Sequence, residues 1–295
     1  MTTQQARTDI TIVDGVIRGP LRSSVNRSQN VKGSIHDDAT ATKLGFRGGT
    51  VAGSIHMELF PPLLLQAFGN RWFEHGTLSM YFINATTDRE PVRAFMAQAP
   101  AGTADAQVDV WIEREDGMRV AEGSASGGNP GEPTALLRRP LDRFEPGELR
   151  ILQGIGPGTK FEPIDVRLDL QPQVDRMDVI TEPLDWYTGD SPWGGPIAMP
   201  TSMVQMLYAK SLGTLRGQMG GAVGLFGAIE LRNINGPVRV DTPYRVSGQV
   251  IAVGQSPKTE YMWFETAMDD ESGKRVAEMR MLLRFMKASS SLYRE

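Results

Sequence analysis

Groups able to move a proton near neutral pH are scarce in this sequence, and they fall early in it. The chain holds three histidines, His36, His56 and His75, and no cysteine. His36 is followed by Asp37 and Asp38, and an imidazole beside a carboxylate can act as acid and base; the plainer reading is a loop histidine next to a helix cap. His56 and Glu58 stand two residues apart where a helix is expected to begin, so they do not share a face. If that helix opens at Gly53, the N–H groups of Gly53, Ser54 and Ile55 have no partner within it and can receive an oxygen that gains negative charge. Glu58 is either a proton-transfer group on this helix or a charge on a solvated turn beside a proline pair.

Other groups are set aside on chemical grounds. Without cysteine there is no thiolate nucleophile, disulfide, iron–sulfur cluster or cysteine-held zinc, which suits a reducing compartment and makes cytoplasm the expectation. Three scattered histidines without His-Glu-x-x-His spacing predict no metal site. His75 falls in a connecting segment and reads as a surface residue. The run Gly154-Ile155-Gly156-Pro157-Gly158-Thr159-Lys160 lacks the spacing of a phosphate loop and reads as linker. Asn84-Ala85-Thr86 matches a glycosylation acceptor but lies in an expected strand. Near Asp190, the aromatics Trp186, Tyr187 and Trp193 crowd one short segment; they either wall an apolar pocket or cover a helix.

The 295 residues are 40% hydrophobic and 22% charged, enough to build real cores, and the formal charge of −4 argues against a nucleic-acid partner. The first ten residues contain no apolar signal-peptide core, and the longest apolar stretch, near 59–65, is too short to span a membrane and carries two prolines.

The chain repeats itself. Gly48-Gly49-Thr50-Val51-Ala52 recurs as Gly194-Gly195-Pro196-Ile197-Ala198, and Pro91-Val92-Arg93 as Pro237-Val238-Arg239, both displaced by 146 positions. Trp111-Ile112-Glu113 and Arg119-Val120-Ala121-Glu122 return as Trp263-Phe264-Glu265 and Arg275-Val276-Ala277-Glu278. Two units follow, 1–127 and 161–295, joined through a Gly- and Pro-rich stretch at 128–160. In each unit a Gly-Gly turn feeds a helix, and alternating apolar residues then predict strands at 78–85, 92–97, 106–113 and 118–125, matched by 228–233, 244–253, 260–268 and 275–285. The second helix has Thr201 or Ser202 as cap, an apolar face of Met203, Met206, Leu207, Ala209 and Leu212, and Gly213 as its end. In the first, Pro61 and Pro62 should break the helix, because proline in a helix interior costs about 3 kcal/mol. One helix on a curved antiparallel sheet, made twice, is an α+β arrangement whose sheets are best protected by joining edge to edge as an intrachain pseudo-dimer.

The stretch Gly33-Ser34-Ile35-His36-Asp37-Asp38, followed by Gly45-Phe46-Arg47-Gly48-Gly49-Thr50-Val51-Ala52-Gly53, resembles the MaoC-like (R)-specific enoyl-CoA hydratases and dehydratases. The resemblance implies a double hot-dog: two tandem hot-dog units sharing one continuous antiparallel sheet and two central helices. It further implies an acyl thioester, or a related activated carbonyl compound, as substrate. His36 is then the acid/base and His56 a neighbour in the site. Gly53 and Ser54 hold the thioester oxygen. On the residues' own reading, Trp186, Tyr187 and Trp193 wall a pocket from the second unit, and Asp190 can replace the family's missing carboxylate if the units bring it to His36. The family's aspartate falls on Val31, the histidine of its Val-His-Gly turn on Ala52, and the second-unit counterpart of Gly53 on Met199. No cofactor is implied beyond coenzyme A as part of the substrate, and a homodimer of double hot-dog chains is left open. Hot-dog thioesterases place an acid on the central helix, which makes Glu58 the base of an alternative reading; a third is a non-catalytic binding or structural protein.

Overall fold

The computed structural model describes residues 9–103, 105–141 and 147–294; the first eight residues of the N-terminus and 142–146 of the joining segment lie outside them. The first unit contains β1 (Thr11–Val13), β2 (Val16–Arg18), β3 (Arg22–Ser23), α1 (Asp38–Lys43), α2 (Gly53–Met57), α3 (Pro61–Phe68), α4 (Arg71–His75), β4 (Gly76–Phe82), β5 (Pro91–Ala97), β6 (Ala106–Arg114) and β7 (Arg119–Gly127). The second contains β8 (Lys160–Arg167), α5 (Leu170–Val174), α6 (Pro200–Val204), α7 (Lys210–Gly213), β9 (Gly224–Asn233), β10 (Pro243–Gln255), β11 (Thr259–Asp269) and β12 (Arg275–Met286).

All twelve strands belong to one sheet, in the order β1-β2-β5-β6-β7-β4-β9-β12-β11-β10-β8, with β3 also on β5. The eight strands that alternation predicts are present; β1, β2, β3 and β8 are too short or too polar for it to mark. Side chains of β5 alternate between buried and half-buried, as expected of a strand with one face against helices. Leu78, Met80, Met262, Phe264, Met281 and Leu283 are on that inner face, within a single apolar core that spans both units.

The proline pair acts as expected. Helix α2 stops at Met57, and α3 restarts at Pro61, where the missing N–H of proline costs nothing because the first turn has no acceptor for it. The second helix departs from expectation at its start. Met199 is the cap residue and gives no side-chain bond, Pro200 is the first helical position, and Thr201 and Ser202 are buried inside the helix rather than capping it. Helix α6 continues through one π turn, Gln205–Ala209, into α7, which ends at Gly213. Met203, Met206, Leu207 and Leu212 are buried as the apolar face requires; the side chain of Ala209 lies outside those described.

The two units meet edge to edge between β4 and β9, from Thr77 opposite Arg232 to Tyr81 opposite Ala228. On the outer face the joining segment lies across this seam. Glu230, buried on β9, accepts from Ser79 Oγ at 2.7 Å and Thr134 Oγ1 at 2.5 Å, and Ser79 Oγ in turn accepts the Leu136 N–H. Farther along, Glu260 accepts the N–H groups of Arg150, Ile151 and Leu152 at 2.7–2.9 Å and the Tyr293 hydroxyl at 2.5 Å. Burial works to raise the Glu260 pKa, but the Tyr293 hydroxyl and the three N–H donors outweigh it and hold the carboxyl below its ordinary value.

Glu260→Gln keeps one acceptor oxygen and removes the charge, so it should cost roughly 1.5–3 kcal/mol of stability at pH 7. The native advantage is present above the ordinary carboxylate pKa and is lost as pH falls through the lowered value. Denaturant unfolding at pH 7 and below pH 4 checks this: the gap between the two proteins should close in acid.

Candidate active site

Past Tyr81 and Ala228 the two central strands part. Phe82 stays on β7, while Gly224 to Phe226 stay on β12, and a cavity of about 520 Å³ opens in the fork. Its walls include His36, Gly53, His56, Phe82, Lys258 and Arg284.

Three bonds set the His36 loop. The Asn26 amide donates to the His36 carbonyl at 2.8 Å, and the Thr50 N–H donates to the Ile35 carbonyl at 3.1 Å. His36 Nδ1 is 2.7 Å from the Thr50 carbonyl. A carbonyl can only accept, so Nδ1 carries the hydrogen and the neutral ring keeps its lone pair on Nε2. Gly49 passes so close beneath the loop that a Cβ on it would sit 2.1 Å from the His36 carbonyl oxygen. Of the two readings the sequence leaves open for His36, orientation by a neighbouring carboxylate or a loop histidine beside a helix cap, the structure departs from the first. Asp37 caps α1 through the Thr40 hydroxyl and N–H, which lowers its pKa, and Asp38 accepts the Gly49 N–H at 2.7 Å. Both carboxylates shape the loop and leave the imidazole to the backbone.

Helix α2 opens at Gly53 with Ala52 as its cap, so the Gly53 and Ser54 N–H groups precede the first helical acceptor. The absent side chain of Gly53 matters: a Cβ there would lie 2.5 Å from the Phe82 ring. His56 is 2% exposed and its Nε2 is 2.7 Å from Thr86 Oγ1, while Nδ1 is buried without a partner. Burial pushes its pKa down to about 4 against a smaller upward pull from Glu90, so His56 is neutral at pH 7. Among the described residues the cavity wall contains no aspartate or glutamate.

Glu58 is elsewhere. It is fully buried, not on a solvated turn, and does not line the cavity. Its Oε1 accepts the Thr201 N–H at 2.5 Å, so a carboxyl of the first unit caps the helix of the second, and Thr201 Oγ1 donates to the Ser54 carbonyl at 3.1 Å. Burial raises its pKa to about 7 despite the Thr201 bonds. The aromatic segment also stays out of the cavity. Phe73, Trp186 and Trp193 pack edge-on or tilted at 5.6–5.9 Å between centroids, and Trp193 Nε1 donates to Glu74 at 2.8 Å. Asp190 is exposed and does not line the cavity with His36. His75 is exposed, with Nδ1 bonded to the Ile234 carbonyl at 2.7 Å.

The repeat can now be aligned through its hydrogen bonds. Thr50 N–H donates to Ile35 and Val51 N–H to Thr86; in the second unit Ile197 N–H donates to Trp186 and Ala198 N–H to Val238. This places Tyr187 at the position of His36, Met203 at that of His56, and Pro200, not Met199, at that of Gly53. Proline has no N–H, so the second helix start lacks the donor that the first provides. Tyr187 is fully buried there, and its pKa is driven well up by burial and then by Glu58. The first unit presents an imidazole to a cavity where the second presents a fully buried tyrosine.

Thr86, Lys258 and Arg284 line the cavity, and Asn26 holds the His36 carbonyl, without a motif that assigns them there; Thr50 stands within the stretch 48–53, which gave it no role. Thr86 lies in the glycosylation-like triplet, and Lys258 in a turn that begins Ser256-Pro257.

No protein-family model and no curated protein matches this chain. Solved structures do. A putative MaoC domain protein dehydratase from Chloroflexus aurantiacus J-10-fl aligns with TM-score 0.59 at 11% identity over 96% of each chain. Rv0216 of Mycobacterium tuberculosis, described as having a double hotdog fold, aligns at 0.55 and 11% over 90% of this chain and 93% of its own. The dehydratase domain of PpsC from Mycobacterium tuberculosis, in complex with C12:1-CoA, aligns at 0.51 and 11% over 94% and 97%. The chain has the double hot-dog fold. MaoC-like dehydratases are among the proteins whose architecture it shares.

Glu58 gives the site region a testable pH response. Its folded pKa is raised to about 7, so its contribution to stability is whole below the ordinary carboxylate range and declines as pH rises toward 7. Glu58→Gln keeps an acceptor for Thr201 and has no charge to bury. It should be more stable than the native protein at pH 8 by on the order of 3 kcal/mol and nearly equal to it at pH 4. Unfolding free energies at the two pH values measure this; a constant difference would contradict a buried, reluctantly ionised Glu58.

Proposed function

We propose that the chain is an enzyme that adds water to, or removes it from, an acyl thioester or a related activated carbonyl compound in the cavity beside His36. The observation that carries this reading is the His36 Nδ1 bond to the Thr50 carbonyl, which leaves Nε2 as the proton acceptor in a cavity that begins at a helix start. In the hydration direction Nε2 takes a proton from water as the water oxygen bonds to the β-carbon. The carbon–carbon π electrons shift toward the carbonyl, and the enolate oxygen is held by the Gly53 and Ser54 N–H groups. The imidazolium then returns its proton to the α-carbon, so the net change is one water added. Elimination is the same path reversed. His56, neutral and half of its polarity unspent, offers a second polar group on the same wall.

The similar folds support this reading by architecture and by one bound acyl-CoA. The thioesterase reading with Glu58 as base draws less support, because one oxygen of that carboxyl is committed to Thr201 and the group does not line the cavity. A purely structural role leaves unexplained why one half-site keeps imidazoles and an open helix start while the other is plugged.

His36→Ala assayed against enoyl and 3-hydroxyacyl thioesters should lose about 100-fold or more in turnover, the range usual for a general base. Undiminished turnover would remove His36 from the chemistry, and thiol release in place of hydration would favour the thioesterase.

A further inference from the structure

Two helices from different units meet beside the His36 cavity. Helix α2 is only five residues long, and Ala52 caps it without a side-chain bond. A single turn fixes several dihedral angles for few hydrogen bonds, so a helix this short is held in place by its surroundings rather than by itself. It nevertheless carries three groups on which the proposed chemistry draws: the Gly53 and Ser54 N–H groups and the His56 ring. On one side, Thr86 Oγ1 holds His56 at 2.7 Å.

The other hold comes from α6. Met199 gives that helix no side-chain cap and Pro200 has no N–H, so the first N–H of the helix belongs to Thr201. Glu58, just past the end of α2, accepts it at 2.5 Å, and the Thr201 hydroxyl donates to the Ser54 carbonyl at 3.1 Å. One residue of the second unit therefore grips α2 near its start and at its end. Ser54, Glu58 and Thr201 are all buried, where hydrogen bonds do not exchange with water and a lost partner is not replaced. In the hydrogen-bond alignment of the two units Thr201 is the counterpart of Ser54, so the grip joins equivalent positions, as contacts across a two-fold axis do. Neither Glu58 nor Thr201 lines the cavity, and their influence on it passes through α2.

We propose that Thr201 is a positioning residue of the site: its N–H and hydroxyl together set where α2 stands, and with it the Gly53 and Ser54 donors and the His56 ring, relative to a substrate beside His36. This rests on the hydration reading of the cavity and adds to it a part played by the second unit. Donors slightly out of place still surround a ground-state thioester, but they miss its oxygen as that oxygen becomes charged, so the loss falls on the rate and not on binding.

Thr201→Val keeps the branched shape and the N–H and removes only the hydroxyl donor. In the full-length protein it should lower kcat for an enoyl thioester by roughly tenfold or more with KM within about twofold of native, and Thr201→Ser, which restores the hydroxyl, should recover kcat to within about threefold. Thr201→Ala removes the same donor if the valine protein does not fold. A second measurement needs no turnover: in the nitrogen-labelled protein, the Gly53, Ser54 and Ile55 amide resonances should move in Thr201→Val and return in Thr201→Ser. Native kcat, a loss confined to KM, or unmoved amides in Thr201→Val overturns the proposal, as does a serine protein as impaired as the valine one, which would make the contact one of packing. Amides that move and return in a protein that converts no thioester uphold the grip on α2 and overturn the hydration reading instead.

Discussion

Antiparallel pairing between β4 and β9 runs from Thr77 and Arg232 to Tyr81 and Ala228 and then stops, and the stop matters as much as the pairing. While the strands are paired, each satisfies the edge of the other, so two small sheets become one and their apolar faces share a core. Where they part, backbone groups turn to other partners: Ile83 and Asn84 N–H to the Val120 carbonyl, and Gly224 to Phe285. The cavity beside His36 opens in the gap so formed. The buried carboxylates Glu230, at the seam, and Glu260, two strands away on β11, fasten the joining segment to the sheet.

The proposed function rests on how unequally the two units use this symmetry. In the first, a glycine-lined loop passes under the His36 carbonyl, and a glycine starts the helix, so backbone can approach where side chains cannot. In the second, tyrosine, proline and methionine occupy the corresponding positions, and the space is filled. Stability follows the filling. Phe73, Trp186 and Trp193 lock the second loop onto the first unit, and Glu58 caps α6 at the cost of a buried carboxyl. On the proposed reading, the second unit thus acts as the frame for the site of the first.

The duplication was legible in the order of elements and in one word that keeps its register, Arg119-Val120-Ala121-Glu122 with Arg275-Val276-Ala277-Glu278; the other words lie out of register, since Ala267, not Trp263, answers Trp111, and Val238 answers Thr86, not Val92. The strands were legible because one-sided burial imposes a period of two on them. The helix break at Pro61 follows from covalent geometry. What pattern could not give were relations between distant segments. Nothing local tells that Asn26 meets His36, that Thr201 N–H finds Glu58 rather than its own side chain, or that Asp37 and Asp38 serve the loop instead of the imidazole. The one-residue slip that sets Pro200 against Gly53 is likewise visible only through the hydrogen-bond register. The aromatic segment misled for a related reason: three rings close in sequence describe apolar burial, and only packing decides which unit they face.

The central claim is that His36 is held with its proton on Nδ1 and its basic lone pair on Nε2. With only three histidines in the chain, a long-range proton–nitrogen correlation spectrum of the nitrogen-labelled protein can resolve the tautomer of each ring. The account predicts an Nδ1–H tautomer for His36, assigned through its loss in His36→Ala, with an Nε2 resonance that moves when a thioester is added. An Nε2–H tautomer, or an Nε2 resonance indifferent to thioester, would contradict it.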